Sequence, residues 1–206
     1  VAIDMPAGPS ELMVVADNSA KAAFVASDLL SQAEHGPDSQ VIFVTTDKEI
    51  MDEVDQELEN QVSLLSRRTT VIKALDNSKI VFFDSQEEAI SFTNYYGAEH
   101  LIVCVKNEDE FVNSIKHAGS VFIGNYTPES AGDYASGTNH TLPTNGYVRQ
   151  YSGVNLDSFL KAITYQKITA QGLQDLGPVI EEMASAEGLQ AHKNAVSIRL
   201  KKLQNE

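Results

Sequence analysis

The sequence has 206 residues, 42% of them hydrophobic, and its 15 Lys and Arg residues against 29 Asp and Glu residues give a formal net charge of −14. Scattered cations on so acidic a chain disfavour a protein that binds the phosphate backbone of nucleic acids, while the apolar content is sufficient for a packed core. A single cysteine, Cys104, excludes a disulfide framework and a multi-cysteine zinc site. No run approaches the roughly 18 apolar residues that span a bilayer. From these two observations we expect a cytoplasmic protein.

Short apolar runs alternate with helical patterns through the first two-thirds of the chain. The runs at residues 11–16, 40–45, 79–83, 101–105 and 120–124 predict strands that are covered on both faces. The segments 20–34, 47–65, 86–96 and 109–118 carry apolar residues at helical spacing, and the acidic surface of 47–65 is typical of a solvated helix face. This order predicts an α/β fold with a mostly parallel sheet and flanking helices, an incomplete Rossmann-like arrangement.

The alternation of predicted strands and helices ends after Gly124. Thr127 and Pro128 have the pattern of an N-cap and a first helical residue, and residues 137–153 are a loop by composition. Residues 156–165, 170–186 and 189–203 are predicted to be helices. We therefore predict an α/β domain at residues 1–153 and an all-helical C-terminal arm at residues 154–206, which docks on the sheet domain or on a second subunit.

The sequence lacks the common nucleotide-binding and hydrolase motifs, so candidate sites depend on scattered polar residues. Gln32 and His35 lie three residues apart near the end of a predicted helix and could converge on one ligand. Gly36 and Pro37 end that helix and are expected to leave His35 at the rim of the sheet where α/β proteins bind ligands. On spacing alone, metal ligation by His35 and a histidine stabilised by the helix dipole are equally supported.

Glu99 and His100 are an adjacent acid and imidazole before a predicted strand. Such a pair can divide proton-transfer steps, since burial and a neighbouring charge shift the pKa of each group. Both side chains reach one site only if the backbone turns, as Gly97 permits; taken alone, the spacing favours a surface position for one of them.

Two further segments offer polar groups. Asp133 is a possible oxygen ligand and His140 a possible substrate contact, although Asp and Asn residues in loops more often bond their own backbone. Glu187 and His192 place a carboxylate and an imidazole on the helical arm, where a solvent-facing role is the alternative.

Together these segments resemble the histidinol dehydrogenase family. The matching motifs follow the family's order along nearly the whole chain: DMPAGPSE at 4–11, LSQAEHGPDSQ at 30–40, EHL at 99–101, GDY at 132–134, TNHTLPT at 138–144, EGL at 187–189 and AH at 191–192. One departure is Gly97-Ala98, where the family more often has Ala-Pro before the Glu-His pair.

The resemblance implies a zinc- and NAD-dependent enzyme of histidine biosynthesis that oxidises L-histidinol through an aldehyde to L-histidine. It implies four zinc ligands: Gln32, His35, Asp133 and His192. Since the family's arm crosses a homodimer, the last of these ligands would come from the partner subunit. It further implies substrate contacts from the four ligands and from Ser10, His140 and Glu187. His100 would be the general base and Glu99 the residue that activates water.

The resemblance covers only the C-terminal half of a family member, and most NAD contacts would precede Val1. We therefore expect the isolated chain to be incomplete as a dehydrogenase, and no NAD-contact residue is assigned. Two alternatives stay open on the residues alone. One is a zinc hydrolase in which Glu99 activates water, and the other is a non-catalytic zinc- or ligand-binding module.

Overall fold

A computed structural model describes residues 5–205 of the chain, so the first residue of the 4–11 motif lies outside the described range. The described residues form a five-stranded, all-parallel sheet in the order β3-β2-β1-β4-β5. The strands are β1 (Glu11–Ala16), β2 (Gln40–Thr45), β3 (Lys79–Phe82), β4 (His100–Cys104) and β5 (Ser120–Ile123). Each agrees with a predicted apolar run to within one residue at either end, and the predicted α/β class is confirmed.

Helices cover both faces of this sheet. They are α1 (Ala22–Ala33), α2 (Lys48–Val62), α3 (Arg68–Asp76), α4 (Gln86–Tyr96), α5 (Glu108–Asn113) and α6 (Glu129–Tyr134). Alternate residues of β1 enter two separate cores: Leu12 and Val14 pack with the side chains of α1, α2 and α3, whereas Met13 and Val15 pack with those of α4 and α5. Burial on both faces explains why the strands read as continuous apolar runs.

Several local elements differ from the predictions, and helix α5 ends at Asn113 instead of continuing to residue 118. Helix α3 was not predicted, because its first turns are rich in β-branched residues that favour strands. Helix α6 begins at Glu129 with Pro128 in the N-cap position, since the Thr127 hydroxyl donates to the carbonyl of Ile123 at 2.7 Å instead of capping the helix. The predicted helix at 156–165 is only a 3₁₀ turn, Leu156–Phe159, and the next helix begins at Ala170.

The chain divides into two compact units, one ending at Leu160 and the other beginning at Lys161, whereas the sequence analysis places the division after residue 153. The second unit contains α7 (Ala170–Ala186) and α8 (Gln190–Gln204), which pack against each other. Gly177 permits their close approach, because a Cβ at that position would lie 2.7 Å from a methyl carbon of Leu200. Across residues 5–205, no helix combines the length and the apolar character needed to cross a membrane.

Candidate active site at the amino ends of the strands

The acid and imidazole of Glu99 and His100 lie at the amino edge of the sheet, where β4 begins beside the first residues of β1. Gly97 caps the end of α4 in the left-handed conformation (φ 65°) and supplies the turn that both side chains need to reach one site. Both side chains are buried, with Glu99 5% and His100 4% exposed. The prediction from spacing alone, that one of the two lies on the surface, was therefore wrong.

The backbone of Glu11 holds both members of this pair. Its N–H donates to Oε2 of Glu99 at 2.8 Å, and its carbonyl oxygen lies 3.3 Å from Nδ1 of His100. Oε2 of Glu99 is 3.6 Å from the same ring nitrogen. Because these neighbours of Nδ1 are acceptors, they favour the tautomer with the proton on Nδ1. Nε2 of the neutral ring is then left with its lone pair.

Two carboxylates face Nε2 of His100. Oε1 of Glu129 lies 3.8 Å from it and Oδ1 of Asp133 lies 4.0 Å from it. Glu129 and Asp133 are four residues apart on α6, so they project from the same side of the helix. One ligand atom from each of these three residues lies within 4.8 Å of the others, which is close enough to hold one metal ion.

Glu129 was not identified from the sequence, although it is almost fully buried. The four-residue spacing between Glu129 and Asp133 could have indicated that both side chains face one site. A Glu in a first helical turn is, however, more often solvated and stabilised by the helix dipole. Burial raises the pKa of Glu129 to about 7, and the nearby charge of Asp133 also raises it. For His100, burial lowers the pKa of the imidazole, but Glu99 and Glu129 outweigh that effect and the net shift is upward.

Gln32, on α1, is 0% exposed, and neither its amide nitrogen nor its amide oxygen has a hydrogen-bond partner. Oε1 of Glu129 is also buried without a hydrogen bond, and Ser31 places its hydroxyl 3.4 Å from the other oxygen of Glu129. Buried polar groups are normally satisfied, so these atoms indicate a ligand. Oxygen and nitrogen donors of this kind fit a divalent metal such as zinc.

His35 differs from its expected setting in two ways. Helix α1 ends at Ala33, so His35 follows the helix rather than sharing a helical face with Gln32, and its side chain is exposed. Its N–H donates to the carbonyl of Gln32 at 3.2 Å. Because His35 precedes β2, it lies toward the amino ends of the strands, and the expectation that it joins the usual ligand-binding rim at their carboxyl ends was wrong.

The remaining predicted site residues are distributed over both units. Ser10 is half-buried directly before β1, and its carbonyl accepts a bond from the N–H of Gln40 at 3.1 Å. His140 is exposed in the loop that follows α6. In the helical unit, Glu187 is the C-cap of α7 and His192 lies in the first turn of α8, and both side chains are exposed.

Comparisons with known proteins place the chain among enzymes of one kind. Residues 1–200 match the family model described as histidinol dehydrogenase. The chain is 57% identical over 203 residues to the histidinol dehydrogenase of Bacteroides thetaiotaomicron, covering 98% of this chain and 47% of that protein. It is 55% identical over 202 residues to the histidinol dehydrogenase of Vibrio vulnificus, with 98% and 47% covered.

A solved structure agrees with the sequence relatives. The crystal structure of histidinol dehydrogenase from Elizabethkingia anophelis superposes with a TM-score of 0.97 at 58% identity, covering 99% of this chain and 47% of that one. The chain thus spans about half the length of the relatives it matches. The resemblance seen in the sequence motifs is confirmed: this chain belongs to the histidinol dehydrogenase family.

Proposed function

We propose that the chain supplies the zinc- and substrate-binding half of a cytoplasmic, NAD-linked dehydrogenase that oxidises L-histidinol through histidinaldehyde to L-histidine. The observation that carries this proposal is the buried Glu99–His100 pair, whose imidazole faces two carboxylates at the edge of the sheet. The relatives named histidinol dehydrogenase support the same chemistry.

The proposed zinc ligands in the sheet unit are Gln32, His35 and Asp133. The unpartnered amide of Gln32 supports this assignment, as does the position of Asp133 beside His100. When bound, zinc would polarise and orient the amino alcohol rather than carry out the oxidation itself. Glu129, four residues before Asp133 on the same side of α6, would help to hold Asp133 in position.

His100 is the proposed general base. Its Nε2 would take the hydroxyl proton of histidinol as the carbinol carbon gives up its hydride, lose that proton to solvent, and then take a proton from the hydrated aldehyde in the second oxidation. NAD, when bound, would supply the hydride acceptor in both oxidations. The carbonyl of Glu11 holds the Nδ1 proton in place, so that Nε2 remains the basic atom. Glu99 uses Oε2 to accept the N–H of Glu11, which leaves Oε1 to activate the water that hydrates the aldehyde.

Further contacts to histidinol are proposed for Ser10 and His140 in the sheet unit and for Glu187 in the helical unit. His192 is the proposed fourth zinc ligand, supplied by the arm of a partner subunit. Glu187 and His192 are exposed in their own unit and therefore available to another chain.

An exposed apolar face on α7 supports the proposed homodimer. Leu176, Val179 and Met183 are each more than half exposed and share one side of the helix, whereas Gly177 and Ala184 face α8. An apolar stripe of this kind is typical of a helix that packs on another protein surface. In the proposed homodimer, this stripe would pack against the second copy of the chain. The arm would then bring Glu187 and His192 to the site of the partner subunit.

Enzyme activity is best tested in a chimera in which this chain replaces the matching 47% of the Bacteroides thetaiotaomicron relative. With zinc, NAD and histidinol, the chimera should produce two NADH per histidinol, while the isolated chain should show no robust turnover. Robust turnover by the isolated chain would contradict its proposed incompleteness. Product release by the chimera without NADH would instead favour a zinc hydrolase, and zinc and histidinol binding without any turnover would favour a binding module.

The dimer proposal predicts that Val179→Asp in the chimera weakens self-association by about 100-fold, because a charge would be buried in the interface. Gln174→Asp is the matched control, since Gln174 is exposed on a different side of the same helix. Sedimentation equilibrium measures both. A monomeric parent chimera, or equal effects of the two substitutions, would contradict the proposal.

A further inference from the structure

Glu11 links the proposed catalytic pair to a loop that is distant in the sequence. The backbone of this residue bonds Glu99 and His100, as described above. Its carboxylate points elsewhere: Oε1 accepts the backbone N–H of Asn145 at 2.8 Å, across a sequence separation of 134 residues. One residue therefore contacts both the pair and the loop at residues 137–153.

The 137–153 loop is anchored at several points, one of which is the bond between Glu11 and Asn145. Asn145 adopts a positive φ of 54°, which is unusual for a residue other than glycine. Directly before it, Leu142, Pro143 and Thr144 are buried. The N–H of Val154 also donates to the carbonyl of Thr141 at 3.0 Å. His140, a proposed histidinol contact, is exposed and directly precedes this anchored part of the loop.

The setting of Glu11 is costly for a group with only a packing role. Its side chain is 7% exposed, and Oε2 is buried without a hydrogen-bond partner. Burial raises the pKa of this carboxyl, and the nearby carboxylate of Glu99 raises it further. A buried acid next to a second acid lowers stability unless its hydrogen bonds compensate. The bond from the Asn145 N–H offsets part of this cost.

We propose that Glu11 is a positioning residue that sets the 137–153 loop, and with it His140, against the Glu99–His100 pair. This inference rests on the proposed histidinol dehydrogenase function. The carboxylate acts through the Asn145 amide rather than on substrate, so it governs how well histidinol is bound more than how fast bound histidinol reacts. The reach of the side chain to Asn145 is the property that matters.

The test compares Glu11→Gln, which keeps an acceptor oxygen at the same reach, with Glu11→Asp, which keeps the charge but is one methylene shorter. In the chimera, Glu11→Asp should raise the KM for histidinol by about 10-fold with little change in kcat, as expected for loss of a buried hydrogen bond. Glu11→Gln should have a KM for histidinol close to that of the parent chimera. Glu53→Ala, at an exposed position on α2, is the control.

Hydrogen exchange of the Asn145 amide provides a readout that does not depend on catalysis. In the isolated chain, protection of this amide should fall in Glu11→Asp and persist in Glu11→Gln. Equal protection and equal KM in the two variants would overturn the proposal, as would a kcat loss without a KM change. If the chimera oxidises no histidinol, the proposed function fails, while the exchange measurement still decides whether Glu11 holds the loop.

Discussion

Replacement of Asp133 by Asn in the chimera is expected to weaken zinc binding by about 100-fold or more, since residues that only support metal ligands are already worth about 10- to 100-fold. The substitution preserves the size of the side chain and the helix that carries it, but it removes the negative charge from an oxygen proposed to touch the metal. Competition with a chromophoric chelator measures the affinity. Asp157→Asn, in the exposed 3₁₀ turn that begins at Leu156, is the control.

The same measurement separates two possible ligand sets. If Gln32, His35 and His192 complete the site, Gln32→Leu should reduce zinc affinity as strongly as Asp133→Asn, and Glu129→Gln should have the smaller effect of a supporting residue. If the metal instead lies among His100, Glu129 and Asp133, Glu129→Gln should reduce zinc affinity more than Gln32→Leu does. Unchanged affinity in Asp133→Asn would contradict both arrangements.

The strands could be predicted because each is buried on both faces and therefore carries a continuous apolar run. The runs at 11–16 and 40–45 gave the bounds of β1 and β2 without error, since polar or loop-forming residues flank both. The run at 156–165 misled because its apolar residues are not packed: Ile163 is 66% exposed and Tyr165 is 88% exposed. Apolar spacing predicts a helix only where a partner surface buries that face.

The site was less accessible to sequence reasoning than the fold. Glu99 and His100 were singled out because an acid next to an imidazole can divide proton-transfer steps. Gln32 was singled out for its spacing to His35 and Asp133 as a possible oxygen ligand, and the family resemblance then implied that both bind zinc. Glu129 resembles any acidic residue in a first helical turn. Only the tertiary arrangement, which brings the start of α6 beside the first residue of β4, gives it a role at the site.

The carboxyl ends of the strands were the wrong expectation for His35. In open parallel sheets, ligands usually bind where strands lead into helices. Here His100 is the first residue of β4 and Glu11 the first residue of β1, so Glu11 and the Glu99–His100 pair lie at the amino ends of these two strands. The sequence contained part of this information, because Ser10, His35 and the Glu99–His100 pair each precede an apolar run, whereas Asp133 and His140 follow the last one.

His100→Gln in the chimera is expected to lower kcat for histidinol oxidation by about 1,000-fold, within the range of general acid–base catalysis. Gln retains a hydrogen-bonding group of similar reach but cannot accept and store a proton at Nε2. Because the proposed zinc ligands exclude His100, zinc affinity should be unchanged. His117→Gln, at a half-buried histidine that follows α5, is the control and should retain the kcat of the parent chimera.

Comparison with Glu99→Gln distinguishes the two members of the pair. If His100 removes a proton in both oxidations, its loss should abolish the first NADH as well as the second. If Glu99 activates the hydrating water, its replacement should leave the first oxidation in place, so that an aldehyde-trapping reagent captures histidinaldehyde and the yield falls from two NADH toward one. An equal loss of the first oxidation in both variants would contradict this division. Glu99, which accepts the N–H of Glu11 through Oε2, would then act by holding His100 in position and not by activating water.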